Sequence, residues 1–220
     1  MPSNRPEPPP LAAPKGREAI LDAATALFAR HGFNDTDTQA LAEKLGVGKG
    51  TLYRHFPSKR ELFLAAVDRA MRRMREHIDA SIAGVETPLD RMAVAIRSYL
   101  DFFASQPEYV ELLIQERALF PDREKSTLFE YRERIALQWR ELYRSQMAEG
   151  RLRQMPVERI SDVVSNVLYG TMFTNYLTGR RKSSEEQAQD ILDVVFLGIL
   201  SDRERGQPGK RSRDHPSIDP

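Results

Sequence analysis

The chain has 220 residues, 40% of them hydrophobic and 30% charged, with a net charge of +1. That length gives room for one large or two small domains, and that composition belongs to globular rather than disordered proteins. There is no cysteine, which excludes disulfides and thiolate metal sites, and no two of His31, His55, His77 and His215 stand three or four residues apart, so no metal or cofactor is expected.

Residues 1–14 carry Pro2, Pro6, Pro8, Pro9, Pro10 and Pro14. They are predicted to form a disordered arm and leave no apolar stretch for a signal peptide. No apolar run approaches the ~18 residues of a membrane span, so a cytoplasmic protein without membrane contact is expected. From there to about residue 202 the pattern is helical, with no period-two run bounded by turns. The expected fold class is all-α, with about nine helices.

A first helix is predicted over 16–31, with Ile20, Ala23, Ala24, Leu27 and Phe28 on one face and Gly32 ending it. Thr36 or Asp37 can cap a second helix that runs to about Leu45. Gly46 supplies the positive φ that stops it. Val47 fills the angle before a third helix over about 49–55. Pro57 ends that helix, and Ser58 with Glu61 reads as a capping box for a long fourth helix, 58–83. Further helices are predicted over 88–105, 107–119, 122–149, 156–178 and 184–200, punctuated by Gly84, Pro107, Pro121, Gly150, Pro156 and Gly179. The last, 203–220, is predicted to be a flexible tail.

The chemistry concentrates in residues 36–63. Two short helices joined by a glycine turn make a helix-turn-helix, and the segment from Lys44 to Arg60 holds Lys44, Lys49, Arg54, Lys59 and Arg60 without one acidic residue. Residues 1–60 are +3 and the remainder −2. This one-sided charge suits phosphates. The N-terminal residues of the second helix of such a motif face the major groove. Lys49 can donate to guanine or phosphate, Gly50 lets the backbone approach the groove floor, and Thr51 offers a hydroxyl and a methyl. Thr36, Thr38, Tyr53, His55 and Lys59 are expected to grip phosphates, while Gln39 and Arg54 are further candidates for base contact. Leu52 and Phe56 belong to the core.

Residues 15–75 resemble the DNA-binding domain of the TetR/AcrR family of transcriptional regulators. The matching stretches are Arg17-Glu-Ala-Ile-Leu-Asp-Ala-Ala24, Phe28-Ala-Arg-His-Gly-Phe33, Thr36, Leu41-Ala42, Leu45-Gly-Val47, Lys49-Gly-Thr-Leu-Tyr53, His55-Phe-Pro-Ser-Lys59 and Leu62-Phe63. The chain departs from the family in carrying Gly48, where serine is frequent, and Thr38, where an apolar residue is frequent. The resemblance implies a helix-turn-helix domain over 15–75, its motif at about 38–57. It further implies a ligand-binding and dimerisation domain over 76–202, a double-stranded DNA operator of palindromic form, a homodimer, and an apolar small-molecule ligand that releases a repressor.

The residues themselves add two expectations. The helices over 156–200 are apolar over a wide arc and carry the small residues Ser161, Ser165, Gly170 and Gly198, so they can pair with their copies in a homodimer. Phe102, Phe103, Trp139, Tyr143, Met147, Met172, Phe173 and Tyr176 can line an apolar pocket, though each can equally be ordinary core. Asn166, Asn175 and Gln115 can orient a ligand or bond a neighbour. No nucleophile–base–orienter set can be assembled, so no enzyme is expected. The competing class is a helical ligand-binding or protein-interaction module without DNA binding.

Overall fold

The computed structural model describes residues 16–179 and 182–197. Within them the regular structure is helical throughout: α1 Arg17–Asp35, α2 Thr38–Lys44, α3 Lys49–His55, α4 Lys59–Ile82, α5 Pro88–Ser105, α6 Pro107–Leu119, α7 Thr127–Ala148, α8 Val157–Thr178 and α9 Ser184–Leu192, closed by a π-helical turn Asp193–Leu197. No helix among the described residues is long and apolar enough to cross a membrane. The arm at 1–14, the tail at 203–220, and Gly198 and Ile199 of the last expected helix lie outside the described residues.

Local chemistry sets most of the boundaries. Gly32 adopts φ 78° and interrupts α1 where the sequence placed its end, but residues 33–35 add one more turn. Asp37, rather than Thr36, caps α2 by accepting from the Gln39 amide at 2.8 Å. Gly46 takes φ 63° and stops it. Ser58 accepts from the Glu61 amide at 3.1 Å, one half of the expected capping box. A complete one forms at α9, where Ser183 and Glu186 cap each other's backbone.

One boundary departs from the sequence pattern. Helix α7 was expected from residue 122 and starts at Thr127. The reason lies on another helix: the buried Glu116 carboxylate of α6 accepts from the Thr127 amide at 3.0 Å and its hydroxyl at 2.7 Å. It thereby serves as the N-terminal cap that α7 lacks locally. Glu116 also pairs with Arg123, which fills the turn before α7, rather than with the neighbouring Arg117.

Helices α1–α3 form a compact head on the N-terminal half of α4, and α5–α9 form the body around its other half. The hydrophobic core is continuous across them, from Phe28, Leu41, Leu52 and Phe63 through Met71 and Met74 to Phe103, Leu112 and Met172. Several joints tie head to body. Buried Arg69 of α4 reaches back to α1, donating to Asp22 at 2.8 Å and Thr25 at 3.2 Å. At the end of α6, Phe120 packs its ring 5.3 Å from Phe33 and 5.6 Å from Phe63. Beside it Arg60 donates to Asp122 at 2.6 Å.

Candidate DNA interface and ligand cavity

The head presents α3 outward. Leu52 is buried against the core, while Lys49, Gly50, Arg54 and His55 are exposed and Thr51 is half-buried. The helix begins at Gly48 without a side-chain cap, which leaves its first amides open to an acceptor. Lys49 lies over the Tyr53 ring at 5.9 Å. Gln39 is exposed on α2 and donates to Glu43 at 2.8 Å.

The residues expected to grip phosphates divide into three groups. His55 and Arg54 stand free at the surface. Thr38 is buried, and its hydroxyl shares a hydrogen bond of 3.0 Å with that of Tyr53. Two hydroxyls bring two protons and that bond uses one, so the pair keeps one proton for an acceptor outside the head. Lys59 donates to the Asn34 carbonyl at 2.9 Å and covers the Phe33 ring, which leaves other ammonium protons for a phosphate. Thr36 requires a correction. Its side chain is buried and its hydroxyl donates to the Gly32 carbonyl at 2.7 Å, closing the end of α1. A hydroxyl has one proton, so this group has none left for a phosphate.

In the body, α4, α5, α7 and α8 line a cavity of about 120 Å³. Its walls are largely apolar, built by Met74 and Ile78 of α4, Ile96 of α5, Trp139 and Tyr143 of α7, and Leu168 of α8. Polar groups gather elsewhere on the lining: Tyr99, Tyr169 and Arg132. The Tyr99 hydroxyl has only the Met172 sulfur, at 3.5 Å. The Tyr169 hydroxyl is buried without a partner. Burial pushes both phenols up, and the Arg132 charge pulls both down. Arg132 is stacked near the Phe129 and Tyr169 rings and faces Asp162 at 3.6 Å. Asp162 is shared with Arg140, 3.8 Å away.

The family model described as "Bacterial regulatory proteins, tetR family" matches residues 20–66, the head from α1 into α4. The head of the chain, residues 20–66, is thus a tetR-family domain. Relatives of the chain include the HTH-type transcriptional repressor KstR of Mycobacterium tuberculosis, 26% identical over 191 residues, which cover 86% of this chain and 82% of KstR. Another is the HTH-type transcriptional regulator YerO of Bacillus subtilis, 28% identical over 133 residues; the match spans 59% of this chain and less than half, 44%, of YerO. The fold is shared with the regulator FadR from Bacillus subtilis, solved in complex with stearoyl-CoA, at a TM-score of 0.68 and 17% identity over 82% of this chain and 98% of FadR.

The helices of the head were legible in the sequence and the cavity much less so. Of the eight residues assigned to the pocket, Trp139 and Tyr143 line the cavity. Phe102 instead stacks on Tyr109, with ring centroids 5.7 Å apart, and Met147 joins a side cluster of the core. Phe103, Met172 and Tyr176 border a smaller space near Pro107, and Phe173 packs beside Tyr169. The sequence reading missed Tyr99, Arg132 and Tyr169. The available signal was a basic residue and two tyrosines at core positions of three different helices. Ser161 and Ser165, expected at a subunit interface, face the cavity instead. The outer face of α8 and the final turn expose Val163, Leu177 and Val194.

The three amides are also placed. Asn166 is exposed, and Asn175 and Gln187 pair reciprocally at 2.8 Å. Gln115 belongs to a hydrogen-bonded path between body and head. Tyr176 of α8 donates to Glu111 of α6 at 2.5 Å. Gln115, one turn on, donates to Glu111 at 2.8 Å and to the Phe28 carbonyl of α1 at 3.0 Å.

Proposed function

We propose that this chain is a sequence-specific DNA-binding transcriptional regulator, a repressor that binds a palindromic operator as a homodimer and releases it when a small ligand fills the body cavity. The observation that carries the DNA reading is Gly50. It is exposed on α3, has ordinary helical backbone, and a Cβ added there meets nothing within 4 Å. A glycine in a helix costs about 0.5–1 kcal/mol relative to alanine. No contact within the head calls for it; close approach of the helix to a groove does. Its neighbours Lys49 and Thr51 are then the base readers, with Tyr53, Arg54, His55 and Lys59 on the backbone.

Pairing through α8 and the last helix, about 156–200, covers Val163, Leu177 and Val194 and sets two heads about one helical turn of DNA apart, ~34–36 Å. The ligand acts by preferring one head separation over another, since a ligand that binds both states equally shifts neither. Helix α4 is the lever, with Met74 and Ile78 in the cavity wall and Ser58 at the head. The Tyr176–Glu111–Gln115–Phe28 path gives α8 a second hold on α1. FadR's complex with stearoyl-CoA supports the body as the ligand-binding part. This role places the protein in the cytoplasm and assigns it no catalytic step.

The test is an electrophoretic titration of operator DNA, selected from random sequence by the wild-type protein, with Lys49→Ala and Thr51→Ala. Weakened binding in both is expected. Undiminished affinity in both variants would overturn the assignment of α3.

A further inference from the structure

The cavity has a chemical polarity that its volume alone does not reveal. Most of its wall offers nothing to a polar group, because Met74, Ile78, Ile96 and Leu168 are apolar. Its uncommitted polar capacity includes two donors, the Tyr169 hydroxyl and the Arg132 guanidinium. The Tyr169 hydroxyl is buried with no partner. Leaving a buried polar group unsatisfied is costly, so such a group marks a place where a partner is missing. Arg132 carries five N–H donors and makes no hydrogen bond among the described residues; its nearest anion, Asp162, stands 3.6 Å off.

Charge reinforces the point. Arg132 and Arg140 share the single Asp162 carboxylate, which leaves this group of three residues with a charge of +1. Asp162 is also largely exposed, 56% on its side chain, so water screens its hold on Arg132. Arg132 lies 6.0 Å from the centre of the Tyr169 ring, and both line the same cavity as Tyr99. An unpartnered phenol beside a guanidinium in a largely apolar chamber matches an acceptor that carries negative charge, and a guanidinium fork fits the two oxygens of a carboxylate.

Size narrows the class. An apolar cavity of about 150 Å³ is enough to take up benzene. The 120 Å³ here therefore suits one ring or a short branched chain.

We propose that the ligand is a compact apolar carboxylic acid, bound as its anion, with the carboxylate held by Arg132 and Tyr169 and the apolar body against Met74, Ile78 and Trp139. This deepens the reading of the cavity as the effector site and rests on it. The acyl group of such a ligand can also arrive as a coenzyme A thioester, which carries the same carbonyl but no carboxylate charge. The proposal commits to the free acid.

Trp139 is the only tryptophan of the chain and lines the cavity, so its fluorescence reports occupancy without any DNA. The titration uses phenylacetate and isovalerate as probes, with phenylacetamide, phenylacetyl-coenzyme A and stearate as comparisons. At least one short acid is expected to change Trp139 emission saturably, and to bind at least tenfold more tightly than its neutral or thioester counterpart and than stearate. Arg132→Gln is expected to weaken the acid tenfold or more and erase its advantage over the amide. Arg132→Lys, which keeps the charge without the fork, should fall between the two, and Tyr169→Phe should weaken acid and amide alike by several-fold. Circular dichroism of each variant separates lost binding from lost folding. Equal binding of phenylacetate and phenylacetamide, tighter binding of the thioester or of stearate, an unaffected folded Arg132→Gln protein, or no response to either short acid would each overturn the proposal. Because the readout needs no operator, failure of the DNA-release mechanism alone leaves a positive titration intact.

Discussion

In the head, Lys49, Thr51, Arg54 and His55 project from a seven-residue helix in which Leu52 alone is buried. In the body, the groups around the cavity are also the walls of the core: Tyr99, Tyr143 and Met74 are each less than a tenth exposed. The head thus separates the side chains proposed to meet DNA from those that hold it together, one face of α3 for each. The body cannot make that separation. A substitution at the reading face should change affinity and leave folding alone, whereas one in the body should register first in stability.

The largest expected effect lies in the body, at the Glu116–Arg123 pair. Arg123→Ala strands a carboxylate that is only 1% exposed on its side chain. Breaking a buried pair from one side costs about 3–5 kcal/mol, or roughly 10 °C in melting temperature for a chain of this size. A calorimetric shift under about 3 °C would show that the body tolerates side-chain loss as well as the head does. Next comes Lys49→Ala, expected to lose about 1–3 kcal/mol of operator affinity, roughly fivefold to 150-fold, with an unchanged melting temperature. A fall in stability alongside would break the separation assigned to α3.

A smaller and pH-dependent effect sharpens the contrast. Burial pushes the Tyr143 phenol up to about 12. The unfolded chain releases this proton near pH 10 and the folded chain only near 12, so the folded form binds more protons in between. The stabilisation is complete below pH 10 and declines as pH rises toward 12, at about 1.4 kcal/mol per unit for one such group. Tyr143→Phe should flatten the fall in melting temperature over that window; an identical slope would mean that Tyr143 ionises in the folded state as freely as in the unfolded. The smallest effect is in the head. Thr38→Val and Tyr53→Phe each remove the shared hydrogen bond, at about 1 kcal/mol, and a double-mutant cycle should return a coupling of similar size. No coupling would mean that the two hydroxyls act independently.

The same contrast explains what could be read from sequence. The reading face lies within one short, contiguous stretch, where Gly46, Pro57 and the alternation of Leu52 and Phe56 with polar neighbours leave little choice of geometry. The cavity draws its lining from α4, α5, α7 and α8, and no spacing along the chain encodes an unfilled space between four helices. Searching for bulky side chains found those that fill space, such as Phe102 on Tyr109, more often than those that border it. The phosphate contact expected of Thr36 and the start of α7, set by Glu116, depart from the sequence pattern for a related reason. Each side chain satisfies backbone groups, in one case of the preceding helix and in the other of the following one, and a hydroxyl or carboxylate in sequence does not disclose which partner it meets.

The ring of Phe120 has one more consequence. It sits against Phe33 and Phe63, so the last residue of the α6 segment completes a core that otherwise belongs to α1 and α4. The head is then not a cassette that can be cut out at residue 75 and fused to another body. Severed there, it loses an aromatic neighbour on two rings, and a transplanted head needs an equivalent residue from its new host. Amide protons of α1 should exchange with solvent in step with those of α6, in one cooperative unit. Occupying a cavity far from DNA would then slow exchange in a helix that touches no ligand.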